Sequence, residues 1–99
     1  MPILQLLGFT FEWHDDKFEL VYKNRGITLE EASSVFFDTN VLEDEDTRDY
    51  GEQRYISLGM SNQGRLLAVV WTEREHTIRI ITAYFPTKHQ EREYANARY

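Results

Sequence analysis

The sequence predicts a single α+β domain: a small antiparallel sheet of about four strands, two N-terminal helices on one face of it, and a C-terminal helix. Three observations carry this. Gly64–Tyr84 reads as two strands joined by a short polar turn, with Leu66–Trp71 apolar without a break, as suits a strand covered on both sides. Two capping boxes, Thr28-Leu29-Glu30-Glu31 and Thr87-Lys88-His89-Gln90, start helices on either side of the run of strands. The resulting order, strand, helix, helix, strands, helix, gathers the helices on one face of the sheet.

Each element follows from its residues. Ile3–Trp13 is rich in apolar positions and predicts a strand ending at Phe11–Trp13, with Gly8 marking a bend or bulge. Asp15 or Asp16 caps a helix running to about Lys23, with Phe18, Val21 and Tyr22 on one side, and Gly26 closes it in the left-handed conformation. In the second helix the Thr28 hydroxyl accepts from the Glu31 amide, and Glu31 reaches back to the Thr28 amide. Leu29, Ala32, Val35 and Phe36 face the sheet until Asp38, Thr39 and Asn40 end that helix. Val41–Glu43 begins an edge strand guarded by acids, and Tyr50–Leu58 is the next strand. The loop Gly59–Gly64 leads into the central pair, and Pro86 ends its second strand. Tyr94, with Ala95, turns the C-terminal helix inward.

With 99 residues, one core is affordable and two are not. The absence of cysteine rules out disulfides, thiolate metal sites and a cysteine nucleophile. No stretch approaches the roughly 20 apolar residues that span a bilayer, and MPILQLLGF lacks the basic start and cleavage site of a signal peptide, so cytoplasmic residence is expected. The formal net charge of −6 opposes non-specific attraction to nucleic acid.

The three histidines, His14, His76 and His89, share no metal-ligand spacing, and no metal or other cofactor is expected. His14 and His89 stand at helix starts and His76 in a turn, all places where a solvated imidazole is ordinary. Glu43–Asp49 lacks the spacing of a calcium loop and reads as a solvated edge. Among the cations, alternation puts Arg54 with Ile56 and Leu58, and Arg79 opposite Ile78 and Ile80. Either arginine suits an ion pair, with Glu52 for instance, or a phosphodiester, which a planar guanidinium fits.

Several blocks, taken in order, carry a resemblance: F-E-W followed by Lys17, G-I-T-L-E-E-A from Gly26 to Ala32, G-E-Q-R from Gly51 to Arg54, G-R-L-L from Gly64 to Leu67, I-R-I-I-T-A from Ile78 to Ala83, and E-R-E-Y from Glu91 to Tyr94. Across residues 9 to 94 the chain resembles the BrnT toxins, the ribonuclease half of type II toxin–antitoxin pairs. The resemblance implies a RelE-like fold, metal-independent RNA cleavage that slows translation, and neutralisation by a BrnA-like antitoxin, with DNA reached only through that partner. By position, Lys17, Arg54, Arg65, Arg79 and Arg92 stand where the family has basic residues; the expected catalytic set is Lys17, Arg54 and Arg79 with Tyr84 or His89 for proton transfer, and RNA contacts are expected from Arg25, Arg65, Lys88 and Arg92. The RNA 2′-hydroxyl serves as nucleophile, so the protein must supply a base, an acid and a cation for the phosphate.

The chain departs from the family pattern at three places. Asn24 and Arg25 stand for a Lys-His pair, Thr47 and Arg48 for a histidine-bearing loop, and Tyr84 for an arginine. Tyr84 retains a proton donor and a ring that can stack on a base. The alternative function is a member that has lost cleavage and acts as an antitoxin-binding or regulatory module.

Overall fold

The computed structural model describes residues 2–46 and 51–97, so Thr47, Arg48 and Tyr50 of the expectations above lie outside the described residues. Six strands form one sheet: β1 (Ile3–Leu6), β2 (Phe9–Trp13), β3 (Leu42–Asp46), β4 (Arg54–Met60), β5 (Leu66–Arg74) and β6 (Thr77–Tyr84). Their spatial order is β1-β2-β6-β5-β4-β3. The helices are α1 (Asp15–Arg25), α2 (Leu29–Ser34), extended by a 3-10 turn at Val35–Phe37, and α3 (Lys88–Asn96).

The α+β class holds, but the sheet has six strands rather than four and is mixed rather than antiparallel. The N-terminal stretch gives two strands because Leu7 and Gly8 both take positive φ, 48° and 87°. That is the handedness that a two-residue hairpin turn needs to match strand twist. β2 then lies parallel to β6, from Phe11 opposite Ile78 to Trp13 opposite Ile80. Apolar alternation assigns strands but not their neighbours, so this pairing was invisible in the sequence.

The central pair is β5 and β6, as expected, with β5 running three residues beyond Trp71. Val70 opposes Thr82 and Trp71 opposes Ile80, leaving Ile81 as a bulged residue of β6. Odd-numbered residues of β5 face the first two helices. Leu67 and Val69, with Ile80 and Ala83, pack against Phe18, Val21, Ile27, Leu29, Ala32 and Val35. Trp71 belongs to the same side, edge-on to Phe36 and stacked on Tyr55, with its indole N–H donating to the Ser57 hydroxyl at 2.8 Å.

The helices do not all gather on one face. α3 lies on the other side, where Tyr94 covers Leu58 and Ala68 and is flanked by Leu42, Ile56, Leu66 and Tyr84. The Tyr94 hydroxyl donates to Asp38 at 2.5 Å, and the same carboxylate oxygen accepts from the Met60 amide at 2.8 Å. The capping box at Thr87 and Gln90 is present, with both bonds formed. Ala95 is exposed, since one buried position per short amphipathic helix suffices here.

Other local expectations shift by a residue or a face. The N-cap of α1 is His14, whose side chain makes no capping bond, and the helix runs on to Arg25 before Gly26 closes it at φ 69°. Phe18 and Val21 are buried while Tyr22 is 59% exposed, because a three-residue step already defines the narrow buried stripe. The Thr28 hydroxyl does accept from the Glu31 amide at 3.1 Å, but the Glu31 carboxylate turns into the protein instead of back to Thr28. β3 extends to Asp46, and Glu43, Asp44 and Glu45 line its exposed edge.

Gly59 lies where β4 passes beneath the end of the second helix. A Cβ there would stand 2.9 Å from Val35 Cγ1 and 3.1 Å from Val41 Cγ2. Gly59→Ala is expected to lower stability by about 1–3 kcal/mol through overpacking, read from urea denaturation midpoints. The β5–β6 turn offers the opposite change. Glu75 and His76 both hold positive φ, 50° and 66°, without glycine. The double substitution Glu75→Asn with His76→Gly is expected to raise stability by about 1 kcal/mol, or about 4–8 °C in the melting temperature measured by calorimetry.

Candidate functional site

The face of the sheet that carries α3 at one end is open at the other, and three cations, Lys17, Arg54 and Arg79, meet there. Thr72 opposes Arg79, and Arg54 shares its strand face with Ile56 and Leu58, so both arginines rise from the same side as Val70 and Ala68. α1 follows β2 directly. Past Trp13 it packs along β6, bringing the first turn of the helix beside the bulge at Ile81. A cavity of about 450 Å³ results, lined by His14, Asp16, Lys17 and Leu20 from α1 and its cap, Arg79, Ile80 and Ile81 from β6, and Glu52 and Arg54.

The cleft has an apolar part, Leu20 and Ile81, and a charged rim. Arg54 Nε donates to Glu52 at 3.1 Å and Arg79 Nε donates to Glu12, its neighbour across β2 and β6, at 3.3 Å. Each guanidinium is thus oriented in part by a carboxylate. Asp15 is turned aside, accepting from the Trp13 indole at 3.1 Å.

Of the residues expected in catalysis, Lys17, Arg54 and Arg79 line this cavity, and Tyr84 and His89 do not. Tyr84 stands five residues along β6 from Arg79, about 17 Å at the usual strand rise. Its hydroxyl accepts from Gln90 at 3.3 Å and its ring flanks the cluster under α3. His89 lies on α3, 77% exposed and 3.5 Å from Glu93. None of the four residues expected to contact RNA lines the cavity. Arg25 ties the end of α1 to β6, donating to the Ala83 carbonyl at 2.9 Å and to Thr82 at 3.4 Å. Lys88 and Arg92 are exposed on α3.

Arg65, expected to contact RNA, is bonded within the protein. Its Nε donates to Glu31 at 2.9 Å, its Nη2 donates to the other Glu31 oxygen and to the Gly26 carbonyl, and the guanidinium sits 5.3 Å from the centre of the Phe85 ring. Glu31 is 2% exposed and also accepts from the Ser61 hydroxyl at 2.7 Å. The Arg65 and Ser61 bonds hold the Glu31 carboxyl below the ordinary carboxylate range, against the opposing effect of burial. The same pairing raises Arg65 above its ordinary value.

Sequence reasoning passed over His14, Asp16, Leu20, Glu52 and Ile81 as cavity residues. For His14 a signal existed: it precedes Lys17 by three residues, so both fall on one side of the first helical turn. Glu52 also had one, as an ion-pair partner of an arginine, which it becomes with Arg54; for Ile81 there was none, since a bulge depends on strand pairing. Among the described residues, no group of three or more histidine and acidic side chains is placed to hold a metal ion. No helix among the described residues is long and apolar enough to cross a membrane.

Fold and cavity together define a small α+β protein with a cation-rimmed cleft of a size usual for small-ligand sites. A family model described as the ribonuclease toxin BrnT of type II toxin–antitoxin systems matches residues 13–90, and the chain belongs to that family. An antitoxin partner is implied by that membership. A search of curated proteins finds none that matches the chain.

The Glu31 pair gives a pH prediction. A carboxyl whose value is lowered by folding contributes stability that is fully present above its unfolded value, about 4.3, and that is lost as pH falls through the lower folded one. Glu31→Gln is therefore expected to cost about 2–3 kcal/mol near neutrality, and the gap between variant and wild type should shrink below about pH 4 in denaturation curves.

Proposed function

We propose that the chain is a metal-independent endoribonuclease toxin acting at the cleft between α1, β4 and β6. The observation that carries this reading is the convergence of Lys17, Arg54 and Arg79 at one cavity, from three separated parts of the sequence. The guanidinium of Arg79 supplies a planar, oriented donor set for a scissile phosphodiester, and Lys17 adds a compact charge at the opposite wall. As the 2′-hydroxyl oxygen attacks, charge grows on the non-bridging phosphate oxygens, and fixed cations stabilise that change more than the ground state. The apolar side chains of Leu20 and Ile81 give a nucleoside a surface to rest on.

In this reading Arg65 and Arg25 are structural ties rather than RNA contacts. Lys88 and Arg92, on α3, extend positive charge along the strand of RNA outside the cleft. The antitoxin is a BrnA-like protein encoded with the toxin, the complex touches DNA through that partner, and the toxin acts in the cytoplasm on RNA needed for translation. The finer likeness to RelE-type ribonucleases belongs to the same proposal.

Expression of the chain without an antitoxin is expected to arrest growth and degrade RNA. Arg79→Ala with Lys17→Ala should relieve the arrest and lower the cleavage rate of purified protein by about 10²–10³-fold, with the thermal melt little changed. A wild-type protein that leaves RNA intact and cells growing, while still binding an antitoxin, would instead identify the chain as a binding module that has lost cleavage.

A further inference from the structure

We infer that His14 is the group that moves the proton in this cleft, accepting it from the attacking 2′-hydroxyl. The inference rests on the nuclease reading above and assigns a role that the family match does not. His14 is the single histidine at the cavity; His76 is in the β5–β6 turn and His89 is on α3 beside Glu93. It occupies the N-cap of α1, a position where serine, aspartate or asparagine ordinarily bonds a free amide, yet its side chain makes no capping bond. Only its backbone serves the helix, the carbonyl accepting from the Phe18 amide at 3.1 Å. Among the described residues its imidazole forms no hydrogen bond or ion pair, and it is exposed at the mouth of the cleft. A side chain with no structural task, one helical turn from Lys17 and across from Arg79, is free to serve a ligand.

The step balances without any added reagent. Neutral His14 takes the 2′-hydroxyl proton as the 2′-oxygen bonds to phosphorus, and the bond from phosphorus to the 5′-oxygen breaks. The leaving oxygen takes a proton from solvent, giving a 2′,3′-cyclic phosphate and a 5′-hydroxyl end, and the imidazolium returns its proton to water. The other titratable groups around the imidazole are Asp15, Asp16 and Lys17 on its own helix and Arg79, Arg54, Glu52 and Glu12 from the strands and the loop facing it. Asp15 is held by Trp13, Glu52 by Arg54 and Glu12 by Arg79. Asp16 is thus the competing base.

The test uses the purified chain and a mixed-sequence, end-labelled single-stranded RNA, with rates followed from about pH 5 to 9. His14→Ala is expected to cut the rate by about 10²-fold, remove the fall in rate toward acid pH that a histidine base produces, and regain activity in added imidazole. Binding of a 2′-deoxy version of the probe should stay within about twofold, and the thermal melt should not move. Three results would overturn the assignment: a His14→Ala rate within threefold of wild type with the acid limb intact, a lost rate that imidazole leaves unrestored, or transfer of the acid limb's loss to Asp16→Asn. If in these cases Arg79→Ala still abolishes cleavage, the nuclease reading stands and His14 alone is dismissed. RNA left intact by wild type at every pH overturns both.

Discussion

The bond network around Glu31 fixes how the helices meet the sheet. One buried carboxylate gathers Arg65 at the start of β5 and Ser61 in the loop before it, and through Arg65 reaches the Gly26 carbonyl that closes α1. Ser61 in turn accepts from the Gln63 and Arg65 amides, and Ser34, on the same helix as Glu31, accepts from the Asn62 amide at 2.9 Å. A tight β4–β5 loop is thus laced to α2 at several points, and no buried side-chain polar atom among the described residues is left without a partner. A buried ion pair is weak evidence of net stability, because desolvation offsets much of its attraction. Its geometry is specific nonetheless, and through Arg65 it ties the closing turn of α1 to the start of β5.

From that placement the cleft follows. β2 stops at Trp13, level with Ile80, so the far half of β6 has a helix rather than a strand at its side. The bulge at Ile81 adds a residue where the helix arrives, turning the strand locally and opening space between α1 and the arginines. The two faces of the sheet divide the work. One is wholly given to the core beneath α1 and α2; the other shares its area between Tyr94 under α3 and the cleft.

A net charge of −6 and a site for an anion are compatible because the charges are segregated. The exposed acids Glu43, Asp44 and Glu45 lie on β3, at one edge of the sheet, and Arg79 lies three strands away on β6. Within the cleft, Glu12 and Glu52 act as orienting partners of Arg79 and Arg54. Such fixed pairs keep the guanidinium planes in place at a modest loss of field, whereas a flexible cation would have to be ordered by the ligand itself.

The sequence by itself determined the α+β class, the central pair of strands, both helix starts at Thr28 and Thr87, the glycine closure at Gly26, and the family to which the chain belongs. These features are local: capping needs four consecutive residues, a strand needs a short apolar run, and family blocks need only order and spacing. Alternation also put Arg54 with Ile56 and Leu58 and turned Arg79 away from Ile78 and Ile80, while the strand register brought the two arginines to one side. What the sequence could not determine was which elements become neighbours. The parallel seating of β2 beside β6, the side on which α3 lands, and the burial of Glu31 all depend on contacts between distant residues. Only the tertiary structure therefore separated cations of the same kind, turning Arg65 inward to a carboxylate and bringing Lys17, Arg54 and Arg79 together with His14 around one cavity.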